Sequence, residues 1–190
     1  ALTGITLNVS SGEFVILAGR NGAGKSVLLR VLTGLSEATG GTVVTRINGR
    51  GNPREAEYRR AVRLVMQHPS RQLLGQTVYE DLLISAQTAD ITPEEMEGEA
   101  RRFGLTSIFE RPVHVLSGGE QRKLALAGAV LGRPELVFFD EPFLELDYEG
   151  TREFLTLLIQ LRSQGVGVVV ATHDYHRALA EADRMIILES

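Results

Sequence analysis

Cysteine does not occur in the 190-residue chain, which excludes disulfides, cysteine-held metals and cysteine nucleophiles. A basic excess is missing too. Twenty Lys and Arg stand against 24 Asp and Glu, and the net charge of -4 argues against a general nucleic-acid binder. No apolar run approaches the length needed to span a bilayer, and no signal peptide reads from the first residues. The expectation is a soluble, cytoplasmic chain whose membrane role, if it has one, comes through a partner. Internal repeats and low-complexity segments are also absent. What remains is ordinary globular composition, enough for one domain with a sizeable core and a small inserted lobe.

The most informative stretch is Gly19-Arg20-Asn21-Gly22-Ala23-Gly24-Lys25-Ser26. It follows the apolar run Phe14-Val15-Ile16-Leu17-Ala18 and precedes Val27-Leu28-Leu29, so it reads as strand, glycine-rich turn and helix. Glycines let the backbone approach a ligand closely, and the turn's N–H groups and the following helix start suit phosphate oxygens. This is the context of a phosphate-binding P-loop, with residues 19–27 in contact with nucleotide. Lys25 is expected on the β- and γ-phosphates and the Ser26 hydroxyl on Mg²⁺.

Elsewhere Ile5, Leu7 and Val9 alternate with polar residues as in a half-buried strand, and residues 42–47 are β-rich up to the turn pair Asn48-Gly49. Residues 52–60 read as loop with a short helix, and 62–66 as a strand. From 77 to 109 the chain reads as wholly helical, with apparent capping boxes at Thr77/Glu80 and Thr92/Glu95 and with Gly104 at the end of the second helix. Residues 70–116 are thus read as a helical lobe inserted between two parts of an α/β core, 1–69 and 117–190. After a helix from Ser117 come buried strands at 136–139 and 166–171, with a helix at 149–163 between them. A helix after His173-Asp174 and a last strand at 185–188 close the chain. Strands alternating with helices predict a mostly parallel sheet flanked by helices, with antiparallel strands near the N-terminus.

Ligands on such sheets bind beyond the carboxyl ends of the strands, and polar residues follow four of them. Asp140 suits a carboxylate that holds Mg²⁺ together with Ser26. Glu141 is the expected general base for an attacking water, against the plainer reading of a second surface carboxylate. Gln67 reads equally as a strand-terminating residue or as one that completes the metal shell or orients the water. His173 reads as a capping residue or as a γ-phosphate contact that holds the water with Glu141. A second distinctive stretch is Leu116-Ser117-Gly118-Gly119-Glu120-Gln121. Ser117 and Glu120 form a common capping box, but two glycines in a first helical turn disfavour helix. They make sense if another molecule's phosphate approaches the helix N-terminus.

In this order, residues 19–26, Gln67, residues 116–121, Asp140-Glu141, Asp147 and His173 resemble the nucleotide-binding domains of ATP-binding cassette (ABC) proteins over essentially the whole chain. The resemblance implies an ATP- and Mg²⁺-dependent hydrolase that works as a head-to-tail dimer, homo- or heteromeric. ATP would lie between one subunit's P-loop and the other's Ser117, Gly118, Gly119, Glu120 and Gln121, with Asp147 in the loop crossing between sites. Gln67-His68-Pro69-Ser70-Arg71-Gln72-Leu73 with Thr77-Val78-Tyr79-Glu80-Asp81 is most similar to the ATPases of energy-coupling-factor, cobalt-type importers, which bring vitamins or metal ions into the cell. Those ATPases act at the cytoplasmic face of the membrane, their helical lobe holding an integral-membrane subunit, and no nucleic-acid partner is expected.

Several features depart from that pattern. His68 stands where asparagine is usual. The family's adenine-stacking aromatic lies upstream of the first strand, and the chain stops soon after its last strand, so a trimmed domain of low intrinsic nucleotide affinity is expected. Phe143-Leu144-Glu145 replaces small residues before Asp147, which is expected to alter dimer closure. The alternatives are a soluble ABC ATPase of translation, DNA maintenance or cofactor assembly, a non-catalytic dimerisation module, and a P-loop kinase. Intact Glu141 and His173 argue against the second, and the 116–121 stretch against the third.

Overall fold

A computed structural model describes residues 2–47, 50–51 and 53–189, so the turn pair Asn48-Gly49 lies outside the described residues. The chain forms two compact units, one of residues 1–67 and 135–190 and the other of residues 68–134.

The first unit is built on five strands: β1 (Phe14–Gly19), β4 (Val62–Val65), β5 (Leu136–Asp140), β6 (Gly167–Thr172) and β7 (Arg184–Leu188). They lie in the order β4-β5-β6-β1-β7, and every neighbouring pair is parallel. Parallel strands covered on both faces must be apolar almost throughout. Phe14 to Leu17 and Val168 to Ala171 are accordingly 0% exposed. Helix α1 (Lys25–Leu32) packs Leu28 and Leu29 with Val15, Leu17, Phe138 and Val169. Helix α6 (Tyr148–Ser163) sets Phe154 edge-on against Phe139. Phe138 and Phe139 point to opposite faces of β5, so the two helices cover opposite sides of the sheet. Truncating Phe139 to Ala would cost about 3–5 kcal/mol.

A two-residue antiparallel pair joins β2 (Arg46–Ile47) to β3 (Arg50–Gly51), and the short helix α2 (Glu55–Ala61) follows. The strand expected at Ile5, Leu7 and Val9 is not formed. Leu7 and Val9 do turn towards the core, but residues 5–9 join no ladder. Alternation reports which side is buried; only a hydrogen-bonded neighbour makes a strand. The helix expected after Asp174 is a single 3₁₀ turn, Tyr175–Arg177.

The second unit holds α3 (Val78–Ala89), α4 (Pro93–Arg102) and α5 (Gly118–Leu131), closed around Val78, Leu82, Met96, Leu105 and Leu124. The two helices expected within residues 77–109 are α3 and α4, the second ending just before Gly104. Asp90 takes a left-handed φ of 61° and ends α3, and a 3₁₀ turn at Thr106–Ile108 follows Gly104 at φ 70°. Thr92/Glu95 is a full capping box, whereas Thr77 accepts from the Glu80 N–H but Glu80 reaches the Gln76 N–H. The unit runs on to Pro134, past the lobe boundary expected at 116, because α5 packs on α3 and α4. No helix among the described residues is long and apolar enough to cross a membrane.

Candidate nucleotide site

All strands of the sheet run the same way, so the segments after β4, β5, β6 and β1 leave from one edge. The register aligns Val65 with Phe139, Asp140 with Ala171, and Ala18 with Thr172. Gln67, Asp140, Glu141, His173 and the 19–26 turn are thereby brought along that edge.

The turn depends on glycine at two positions. Gly22 and Gly24 have φ of 86° and 94°, and Gly24 is the N-cap of α1 with no side-chain cap. Arg20, Asn21 and Val27 face solvent, whereas Ala23 is packed into the core. Lys25, 5% exposed, turns back across the loop. Its ammonium donates to Gly19 O at 2.8 Å and Arg20 O at 3.3 Å, and pairs with Glu141 Oε1 at 3.1 Å.

Glu141 is the hub. It has a left-handed φ of 47°, unusual for a residue with a Cβ, and its N–H bonds Ala171 O at 2.8 Å. Thr172 Oγ1 donates to its Oε2 at 2.9 Å, the His173 N–H reaches both oxygens, and His173 Nδ1 lies 2.9 Å from Oε2. Burial pushes this carboxyl up, but hydrogen bonds from His173, Lys25 and Thr172, with the Lys25 charge, outweigh it and hold the group below the ordinary carboxylate range. The His173 side chain is 45% exposed, with its Nδ1 engaged by Glu141.

Asp140 behaves oppositely. Burial raises its carboxyl above the ordinary value, with repulsion from Glu141 adding to this, against a Ser26 hydrogen bond and the Lys25 and Arg30 charges. Its Oδ1 is buried with no hydrogen-bond partner among the described residues. An orphaned carboxylate oxygen beside a serine hydroxyl fits a divalent-cation site. Gln67 is half-buried, two residues beyond β4. Asp147 is the N-cap of α6, accepting from the Gly150 N–H at 2.7 Å.

In the second unit, Ser117 caps α5. Its Oγ accepts from the Glu120 N–H at 3.3 Å, and Glu120 Oε2 accepts from both the Ser117 N–H and hydroxyl at 2.8 Å. Those Ser117 bonds, with Arg111 2.8 Å from Oε1, hold the Glu120 carboxyl below its ordinary value despite desolvation. Gln121 donates to Val113 O and Leu116 O. Among the described residues, nothing lies within 4 Å of where a Cβ would sit on Gly118 or Gly119.

Two residues at the site escape a motif reading. Thr172 is 0% exposed yet polar, and its position at the end of a buried strand was the available signal. Arg177 binds the 141–147 loop at Leu146 O, and no sequence signal marks it.

A parallel sheet, a glycine-rich strand-to-helix turn and a carboxylate at the neighbouring strand end define a P-loop nucleotide-binding protein. The profile described as ABC transporter matches residues 2–144, and the chain belongs to that family. It is 39% identical over 198 residues to the cobalt import ATP-binding protein CbiO of Rhodobacter capsulatus, covering 100% of this chain and 70% of that protein. It is 34% identical over 196 residues to the energy-coupling factor transporter ATP-binding protein EcfA of Carboxydothermus hydrogenoformans, covering 100% of this chain and 72% of the other. Among solved structures, cbiO1 of Clostridium perfringens, part of the ABC transporter complex cbiONQ, superposes with a TM-score of 0.82 at 27% identity. That match covers 100% of this chain and 78% of the other. An ATP-binding cassette dimer in a post-hydrolysis state, bound to ADP and Pi, superposes at 0.80 with 28% identity, covering 96% and 84%.

Proposed function

We propose that this chain is the ATP-binding and ATP-hydrolysing subunit of a membrane importer of the energy-coupling-factor type, carrying a vitamin or a metal ion such as cobalt. The observation that carries the reading is Glu141, poised at the strand edge between the P-loop lysine and His173. Residues 19–27 bind the nucleotide phosphates. Lys25 moves from Glu141 to the β- and γ-phosphates, and Glu141 is then free to take a proton from the attacking water. His173, held through Nδ1, presents Nε2 towards that water and the γ-phosphate. Ser26 and Asp140, with Gln67, would hold Mg²⁺, which when bound neutralises charge on the phosphate oxygens.

The second half of the site comes from a second ABC subunit. Among the described residues, none gives Gly118 or Gly119 a steric reason to be glycine, which favours approach by an external group. Closure is driven by the γ-phosphate bridging Lys25 and the opposing Ser117, Gly118 and Gly119, a contact that ADP cannot make. Asp147 lies in the crossing loop, and the helical lobe docks the membrane subunit at the cytoplasmic face. The similarity to cobalt-import and energy-coupling-factor subunits favours this over a soluble ABC ATPase.

The test is Glu141→Gln. Turnover of the purified protein should fall about 10²–10⁴-fold, the range of a positioned base, while ATP binding survives and an ATP-bound dimer accumulates on size-exclusion chromatography. Undiminished turnover would remove Glu141 from the mechanism. Recovery from detergent-solubilised membranes with ribosomal or DNA-bound proteins, rather than an integral-membrane subunit, would overturn the transporter assignment.

A further inference from the structure

The loop from Glu141 to Asp147 is conformationally costly at both ends. Glu141 and Glu145 both carry side chains in the left-handed region, at φ 47° and 63°. Something must hold such a loop. On one side Phe143, 2% exposed, packs edge-on against Phe154, itself edge-on against Phe139. On the other side stands Arg177. Its Nη1 donates to Leu146 O at 3.0 Å and to Thr151 Oγ1 at 2.9 Å, while its Nε pairs with Asp174 Oδ2 at 2.6 Å. Thr151 Oγ1 in turn donates to Asp147 O at 2.7 Å. One guanidinium therefore ties the residue after His173 directly to the Leu146 carbonyl and, through the Thr151 hydroxyl, to the Asp147 carbonyl.

We infer that Arg177 is a positioning residue that fixes the Asp147 loop to the His173 turn, so that nucleotide chemistry and contact with the second subunit are set together. Among the described residues, the guanidinium partners of Arg177 are Leu146, Thr151 and Asp174, none of them a residue of the P-loop. Thr151 completes the clasp because its hydroxyl passes the tie on to Asp147. A lysine at 177 could keep the charge pair with Asp174 but has no planar fork to serve three acceptors at once. The inference rests on the proposed ATPase reading, and the test separates the two.

The experiment uses the Glu141→Gln background, in which ATP-bound dimers are retained. Arg177→Gln is added to it, and ATP-dependent dimerisation is measured by analytical ultracentrifugation alongside monomer affinity for a fluorescent ATP analogue. Loss of charged hydrogen bonds predicts dimerisation weakened about tenfold with nucleotide affinity unchanged within about twofold. Arg177→Lys should restore only part of the dimer. Thr151→Val, which keeps shape and removes only the hydroxyl, serves where Arg177→Gln fails to fold. It should weaken the dimer in the same direction, and Thr151→Ser should rescue it. Equal dimerisation with and without the clasp, or nucleotide affinity falling in parallel with dimerisation, overturns the inference. Failure of Glu141→Gln alone to form an ATP-dependent dimer refutes the underlying reading instead.

Discussion

Two helices of this protein begin at glycines, and their first turns are built on opposite plans. At α1 the cap is Gly24 at φ 94°, no side chain closes the end, and the first turn carries no acidic residue. At α5 the cap is Ser117, closed by a full box with Glu120, which is itself paired with Arg111. A helix start with unmatched N–H groups and a positive dipole is an anion site by default. One that supplies its own carboxylate has satisfied that demand internally. In the proposed dimer the first start therefore holds nucleotide continuously. The second must exchange an internal partner for the neighbour's γ-phosphate, which suits it to sensing closure.

The contrast can be broken by substitution, most severely at Lys25. Lys25→Ala leaves Glu141 without its buried cation, so the nucleotide-free protein should lose about 3 kcal/mol in urea unfolding, with nucleotide affinity lost as well. Unchanged ATP affinity would remove α1 from the binding site. Alanine at the two sets of glycines should then act with opposite sign. Gly24→Ala forces a left-handed residue against Leu2, whose Cγ would lie 2.8 Å from the new Cβ, and should cost about 2 kcal/mol. Gly119→Ala enters open space in a helical turn and should stabilise the isolated subunit by about 0.5–1 kcal/mol while weakening ATP-driven dimerisation. Destabilisation there would mean that the glycine serves this chain's own packing. Ser117→Ala should cost about 1 kcal/mol through loss of the cap.

The smallest effect is in pH dependence, where the two adjacent carboxylates oppose each other. Glu141 is held below the ordinary range, so its stabilising contribution is complete above that range and is lost as pH falls through its lower native value. Asp140 is raised, so it favours the folded state in acid, and that contribution is lost as pH rises through its elevated value. Asp140→Asn should accordingly raise the neutral-pH melting temperature of the nucleotide-free protein while abolishing any stabilisation by Mg²⁺-ATP. A lower melting temperature would mean that the orphaned oxygen is satisfied in solution.

Much of this arrangement was legible before the structure. Residues 19–26, Asp140, Glu141 and His173 announce themselves because each follows a continuous apolar run, and a parallel sheet sends such ends to one edge. What was not legible depends on partners distant in sequence or on single dihedrals. Leu7 and Val9 alternate correctly yet find no neighbouring strand. Asp90 ends α3 through one left-handed dihedral, whereas the sequence marks only the start of the next helix at Thr92. Arg177 reaches Leu146 across 31 positions, and its donors serve a carbonyl whose place only the fold defines.

The buried pair between Lys25 and Glu141 also gives the proposed cycle a reciprocal character. An ammonium engaged by a carboxylate must be released before it can serve phosphate, so part of the nucleotide's intrinsic affinity is spent on separating the two. By linkage, whatever weakens the pair tightens phosphate binding by the same free energy. Tight retention of ATP by a Glu141→Gln variant then has two sources: the chemical step is lost, and Lys25 no longer has a competing anion.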